Sequence, residues 1–342
     1  MAFLQRMKIV AVLAVVASLG VSACSSDGSA TSSEPGKPRV AIVLGGRAND
    51  GGFSQAGADA VTALQKEGLL NGQIRDSVTS SADADRVLGQ YAAEGYDLVI
   101  GWGIGFADQV FRAGTQFPDT HFVATGGLDI LGKATKNVET WTYDAQQLGY
   151  LTGYLAGLAQ LSPVGVVDGE QQPFILAQWD GFAQGLKAAN PTAALLPPIY
   201  TGSFEDASKA GQATTGQVSA GAKLIATNAE GYSTGVAAAA KSANVATIGM
   251  SAVTSEAAKA VNIGRVHTDM TPILREWISR LTKKTFGAKG TTSTIANHSL
   301  VATDIAHGPA PALPPDVETR LADLAQQLQA GTVTITPWKP GK

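Results

Sequence analysis

The 342-residue chain has one cysteine, Cys24. No disulfide can form within it, so stability must come from a packed core. Charge is also sparse: 15% of residues are Asp, Glu, Lys or Arg, and the formal net charge is -3. Nucleic-acid partners require a basic stripe, and this sequence has none. His121, His267, His298 and His307 are scattered without metal-ligand spacing and read as surface or capping residues. After residue 38 no apolar run is long enough to cross a bilayer as a helix. Enzyme motifs fail on inspection. In GWGIGF the third glycine of a dinucleotide fingerprint would fall at Phe106. In GFSQAG, Ala56 stands where a nucleophile elbow has its last glycine. No pair of carboxylates stands out at a strand end. The expectation is a protein with no catalytic residues, no cofactor and no metal.

At the N-terminus, Arg6 and Lys8 precede an apolar run over residues 9–23 that ends in small residues. That is the order of a secretory signal. The run closes on Val21-Ser22-Ala23-Cys24, which resembles a bacterial lipobox, where cleavage precedes a cysteine that then carries lipid. Residues 1–23 are thus expected to be a lipoprotein signal peptide and Cys24 the lipidated residue. Residues 24–37, rich in Ser, Gly and Pro, read as a flexible tether. The expected location is the extracytoplasmic face of the cell membrane.

The remaining roughly 300 residues suffice for two domains. Short Val/Ile/Leu runs alternate with helical patterns: RVAIVLGG (39–46), YDLVIGWG (96–103), HFVATGG (121–127) and VETWTYD (138–144). A long helix with small residues on one face follows, over 144–161. The alternation then restarts with VGVVDG (164–169), AKLIATNA (222–229) and ATIGMS (246–251). Continuous rather than alternating apolar runs indicate strands buried on both faces, as in parallel sheets. The expected fold class is α/β, with two doubly wound parallel-sheet lobes and a ligand cleft between them. Lobe 1 is expected at 38–143 and lobe 2 at 144–251.

Ligands of open α/β sheets sit beyond the carboxyl ends of the strands. Four glycine-containing loops are expected there: NDGGFSQAG (49–57), GWGIGFAD (101–108), TGSFED (201–206) and NAEGYSTG (228–235). Glycine admits close backbone approach, and the aromatics Phe53, Trp102, Phe106 and Phe204 can stack on a flat ring.

These loops resemble the basic membrane protein family of lipoproteins, the purine-nucleoside receptors of bacterial ABC transporters. Asp50-Gly51-Gly52-Phe53-Ser54-Gln55-Ala56-Gly57 looks like its D-x-x-F-N-x-x-A/G segment. VETWTYDAQQLGYLTGYLAGLA, GFAQGLKAANP, TGSFEDASKAG and the C-terminal LPPDVETRLADLAQQLQAGTVTITP are similar to further segments, in order, over 38–338. The resemblance implies a type I periplasmic binding protein, with lobe 1 completed by about 252–288 and lobe 2 by about 289–342. It implies Phe53 and Phe204 stacked on a base, Asp50 and Ser54 hydrogen-bonded to the ligand, and backbone approach at Gly231. The family's ribose-reading Asp is replaced where Gly249-Met250-Ser251 stands, making Ser251 the candidate there. Arg265 and His267 are the nearest substitutes for its ligand-facing Lys. The implied partners are a nucleoside-like small molecule, ABC permease subunits and, through the lipid, the membrane, with the protein a monomer. A surface sensor on the same fold, without transport, is the alternative; a nucleoside hydrolase would need a carboxylate cluster or a metal.

Overall fold

A computed structural model describes residues 36–228, 231–307 and 313–339. Cys24 and the leader lie outside the described residues. The chain runs β1 (Arg39–Leu44), α1 (Phe53–Lys66), β2 (Asn71–Arg75), α2 (Ser81–Ala93), β3 (Leu98–Trp102), α3 (Ala107–Gln116), β4 (His121–Thr125), β5 (Val138–Tyr143), α4 (Ala145–Leu158) and β6 (Val164–Asp168). It continues α5 (Pro173–Ala189), β7 (Ile199–Tyr200), α6 (Ala207–Ser219), β8 (Leu224–Thr227), α7 (Ser233–Ser242), β9 (Ala246–Gly249) and α8 (Glu256–Val261). It ends β10 (Asn262–Thr268), α9 (Thr271–Thr282), β11 (Gly290–Ser293), β12 (Leu300–Thr303) and α10 (Val317–Ala330).

Two six-stranded sheets form, ordered β2-β1-β3-β4-β5-β11 and β7-β6-β8-β9-β10-β12. The first is parallel throughout, and the second is parallel except where β12 runs against β10. Each sheet is covered on both faces, as its uninterrupted apolar strands require. Along β1, Val40, Ile42 and Leu44 pack toward α1 and α9, while Ala41 and Val43 pack toward α2 and α3. In the second lobe Val164 and Val166 share a core with α4, α5 and α10, and Ile225 lies on the α6 and α7 side. The strand order reverses beside β1 and beside β6, which is where ligands bind in such sheets.

The returning segments differ from the expected boundaries. Residues 256–268 do not complete lobe 1: β10 pairs with β9, and Ile263 and Val266 enter the second lobe's core. The return begins at α9, whose Ile273, Leu274, Trp277 and Ile278 fill the first lobe's core, and ends with β11 on β5. β12 and α10 then go back to lobe 2. The chain therefore passes between sheets three times, after β5, after β10 and after β11. Hydrogen bonds tie these crossings together, Asp144 N–H to Ser293 O at 2.9 Å and Asp269 N–H to Ser299 O at 2.9 Å.

The small face of α4 has a partner. A methyl on Gly149 or Gly153 would collide with backbone carbonyls of Gln178 or Phe182 on α5, and one on Gly181 or Gly185 with those of Gln146 or Tyr150 on α4. The two helices touch backbone to backbone. A second tie lies in the first lobe, where Glu139 on β5, 0% exposed, pairs with Arg280 on α9, 12% exposed. Arg280 Nε donates to Glu139 Oε1 at 2.9 Å, and Gly287 N–H donates to the same oxygen at 3.0 Å. Among the described residues, no helix is long and apolar enough to cross a membrane.

Candidate functional site

In the first lobe the β1–α1 loop is built around Asp50. Its Oδ1 accepts from Gly52 N–H at 2.8 Å and Gln55 N–H at 3.1 Å, and its Oδ2 from Ser54 N–H at 3.1 Å. These are first-turn donors of α1, which no intrahelical carbonyl can satisfy. Ser54, buried, accepts from Gly46 N–H at 3.1 Å through its hydroxyl. Both side chains expected to bind ligand directly thus also shape the loop. Gly51 sits at φ 78°, a left-handed conformation that favours glycine. Its carbonyl accepts from Ala252 N–H of the second lobe at 2.6 Å, so the two rims touch here.

Phe53, the first residue of α1, is partly exposed. Its ring stacks on Trp102 with centroids 4.6 Å apart and planes 13° from parallel. Trp102 in turn stacks on Trp141 at 4.7 Å. Indole N–H groups lock the column, Trp102 to Phe53 O at 2.8 Å and Trp141 to Ser293 Oγ at 2.9 Å. Gly57 makes room: a Cβ there would lie 2.8 Å from Ile42 Cδ1 and 3.0 Å from Trp102 Nε1. Trp102 is 1% exposed, so it backs Phe53 instead of lining the cleft. Phe106 does not line the cleft either. At 6% exposed it packs over Gly103 into the α2–α3 core, because it lies on the other face of the sheet.

In the second lobe Phe204 is partly exposed and lies against Gly169, whose missing side chain provides the space. Among the described residues Phe204 makes no ring contact. Gly231 has the Glu205 carboxylate against its Cα, a position that any side chain would take. Beneath them sits Asp168, the last residue of β6, 0% exposed. It accepts from Gly169 N–H at 2.6 Å, Trp179 Nε1 at 2.6 Å and the Tyr232 hydroxyl at 3.2 Å. Burial pushes its carboxyl up to about 7 despite these three donors. Asp168 joins the loops after β6 and β8. It went unnoticed in the sequence, although an acid ending the apolar run VGVVD was its signal.

Arg265 and His267 lie two apart on β10. Arg265 Nε donates to Met250 O at 2.8 Å, and His267 Nδ1 lies 3.2 Å from Thr268 O. Burial lowers both from their ordinary values, and the charge of Arg265 lowers His267 further. The Ser251 hydroxyl is buried without a partner. It lines a cavity of about 50 Å³ with Thr227, Ser233, Thr247, Thr254 and Asn262, within the second lobe. Among the described residues no cluster of His, Cys, Asp or Glu could hold a metal.

Comparison with known proteins agrees with this architecture. The family profile described as ABC transporter substrate-binding protein PnrA-like matches residues 37–301. Basic membrane protein A2 of Borrelia garinii subsp. bavariensis is 25% identical over 203 residues, 59% of this chain and 58% of that protein. The match thus spans little more than half of that relative's length. An ABC transporter solute-binding protein from Conexibacter woesei superposes with TM-score 0.81 at 36% identity, covering 88% of this chain and 99% of that one. A solute-binding protein from Aeropyrum pernix shares the fold, with TM-score 0.72 at 15% identity over 89% of this chain and 94% of that one.

Proposed function

The chain belongs to the PnrA-like family of ABC transporter substrate-binding proteins, and from that premise we propose that it is a lipid-anchored receptor that closes its lobes on a small aromatic solute. The solute is nucleoside-like in having a flat ring. It sits between the carboxyl ends of the two sheets, and the closed form is delivered to the permease subunits of an importer. Lipid on Cys24 keeps the receptor at the extracytoplasmic face, because several acyl chains hold where a single one does not.

One observation carries this reading: the partly exposed ring of Phe53 is held at the switch point of the first sheet by a buried stack of two tryptophans. A ring fixed from behind loses little freedom when a ligand covers its front, so stacking is not offset by ordering. Stacking of this kind contributes about 1 to 3 kcal/mol per ring. Phe204 is the candidate for the opposite face. The three crossings, tied by Asp144–Ser293 and Asp269–Ser299, form the hinge.

Thermal melting of protein purified without refolding, against a panel of bases and nucleosides, tests the ligand. At least one member is expected to raise the melting temperature, by the equivalent of about 2.7 kcal/mol at a hundredfold excess over Kd. If every member leaves it unchanged, the nucleoside-like assignment falls. Cys24→Ala is expected to move the protein from the membrane fraction to the soluble one; retention at the membrane contradicts the anchor.

A further inference from the structure

Two of the acids near the strand ends that frame the cleft, Asp50 and Asp168, are largely occupied. Asp50 takes three backbone N–H groups of its own loop. Asp168 takes an amide, an indole and a phenol, and is fully buried. A neutral, hydroxyl-rich solute needs acceptors to receive its O–H groups, and most acceptor positions of these two carboxylates are already taken.

The donors are in the opposite condition. Arg265 is partly buried and commits only its Nε, to Met250 O at 2.8 Å. That bond sets the plane of the guanidinium and leaves its terminal N–H groups unused. Among the described residues no carboxylate forms an ion pair with it. Asp304, beyond β12, and Asp59, on α1 of the first lobe, act on it only at longer range. In the same loop as Met250, Ser251 holds a buried hydroxyl with no partner. His267 lies on the same side of β10, and the groups facing it, Arg265, Asp269 and Asp304, do not pair with it. A cation drawn out of water without a counter-ion is costly. The cost is removed when a ligand brings the missing charge, and a planar fork matches an oxyanion with two parallel bonds.

We propose that Arg265 reads an oxyanion on the solute, so that the cleft takes an aromatic molecule bearing a carboxylate or phosphate in preference to a neutral nucleoside. This rests on the cleft reading above for the solute's position between the lobes. Met250, which Arg265 holds, lies two residues before Ala252, whose N–H donates to Gly51 O of the first lobe at 2.6 Å, two residues from Phe53.

Matched pairs test it: adenosine 5′-monophosphate against adenosine, and benzoate against benzamide, with inorganic phosphate as the ring-free probe. Calorimetric titration is expected to give at least a tenfold preference for the anion in one pair, about 1.4 kcal/mol. The preference is expected to shrink as salt is raised and to fall to about one in Arg265→Gln; in Arg265→Lys, which keeps the charge but not the fork, it is expected to be intermediate. Asp59→Asn, which removes a competing charge, is expected to strengthen anion binding. If phosphate binds in an Arg265-dependent way while every ring-bearing probe fails, the oxyanion site stands and the aromatic reading falls. The proposal is overturned if neutral partners bind as well as anions, if the preference survives in Arg265→Gln, or if no probe binds. It is also overturned if Asp59→Asn weakens binding as Arg265→Gln does, since the two residues would then be a latch between lobes.

Discussion

Phe53 and Trp102 lie face to face, 4.6 Å between centroids, and the indole N–H of Trp102 returns to the Phe53 carbonyl at 2.8 Å. One ring is partly exposed and the other is 1% exposed, so the two should fail in different ways when removed. Phe53→Ala is expected to weaken ring binding about 5- to 150-fold, the equivalent of 1 to 3 kcal/mol, with a small change in the melting of the empty protein. Trp102→Ala is expected to destabilise the empty protein by about 3 to 5 kcal/mol, because it leaves a cavity. Melting curves with and without ligand separate the two. Equal loss of stability in both variants would make Phe53 a core residue only.

Asp50 gives a different expectation. Its carboxylate caps α1, so Asp50→Ala is expected to cost about 1 to 2 kcal/mol in the absence of any ligand. Unchanged melting of the empty variant, together with lost binding, would return Asp50 to direct ligand contact.

Asp168 makes stability depend on pH. Its ordinary value of 3.8 applies to the unfolded chain, and burial raises it to about 7 in the fold. Between those values the folded protein keeps a proton that the unfolded chain has released. Stability therefore falls as pH rises through this window and levels off above it. Each unit corresponds to about 1.4 kcal/mol, so the whole effect is a few kcal/mol at most. Burial lowers His267, which works the other way as pH approaches its ordinary 6.5. Both proteins share His267, so the difference between wild type and Asp168→Asn isolates the aspartate. Relative to that variant, the wild type is expected to lose stability from about pH 4 to about pH 7. Parallel curves for the two proteins would contradict this.

Glu139 and Arg280 hold α9 to the first sheet from a position that admits almost no water. Arg280→Ala leaves a buried carboxylate unpaired and is expected to cost about 3 to 5 kcal/mol, while Glu139→Met with Arg280→Met is expected to cost far less. Denaturant unfolding measures both. A double variant as unstable as the single one would show that the pair contributes by more than mutual neutralisation.

Several of these features were legible in the sequence, and the reasons for the failures differ. Runs such as VAIVL over 40–44 can only be strands covered on both faces, and β1 is one. The spacing of Gly149, Gly153 and Gly157 announced a close helix contact, yet nothing local named α5 as the partner. The segment 262–268 mixes apolar and polar residues and pairs with β9, a long-range choice its own pattern does not carry. Trp102 ends β3 and Phe106 follows four residues later, yet they point into opposite cores, and only the packing partner decides which. Asp50 before a helix reads equally as cap or ligand contact, because both roles need the same acceptor. The role of Gly57 depends on where Trp102 lies, and Trp102 is 45 residues further along the chain.

The most direct test of the central claim is electron density for protein crystallised as purified from cells, or soaked with a solute that raises its melting temperature. A flat molecule is expected between the lobes, covering the Phe53 face opposite Trp102, with the loops after β6, β7 and β9 on its other side. Solute found outside that space, on the surface or only in the small cavity lined by Ser251, with the Phe53 ring covered by side chains of its own lobe, would contradict the account.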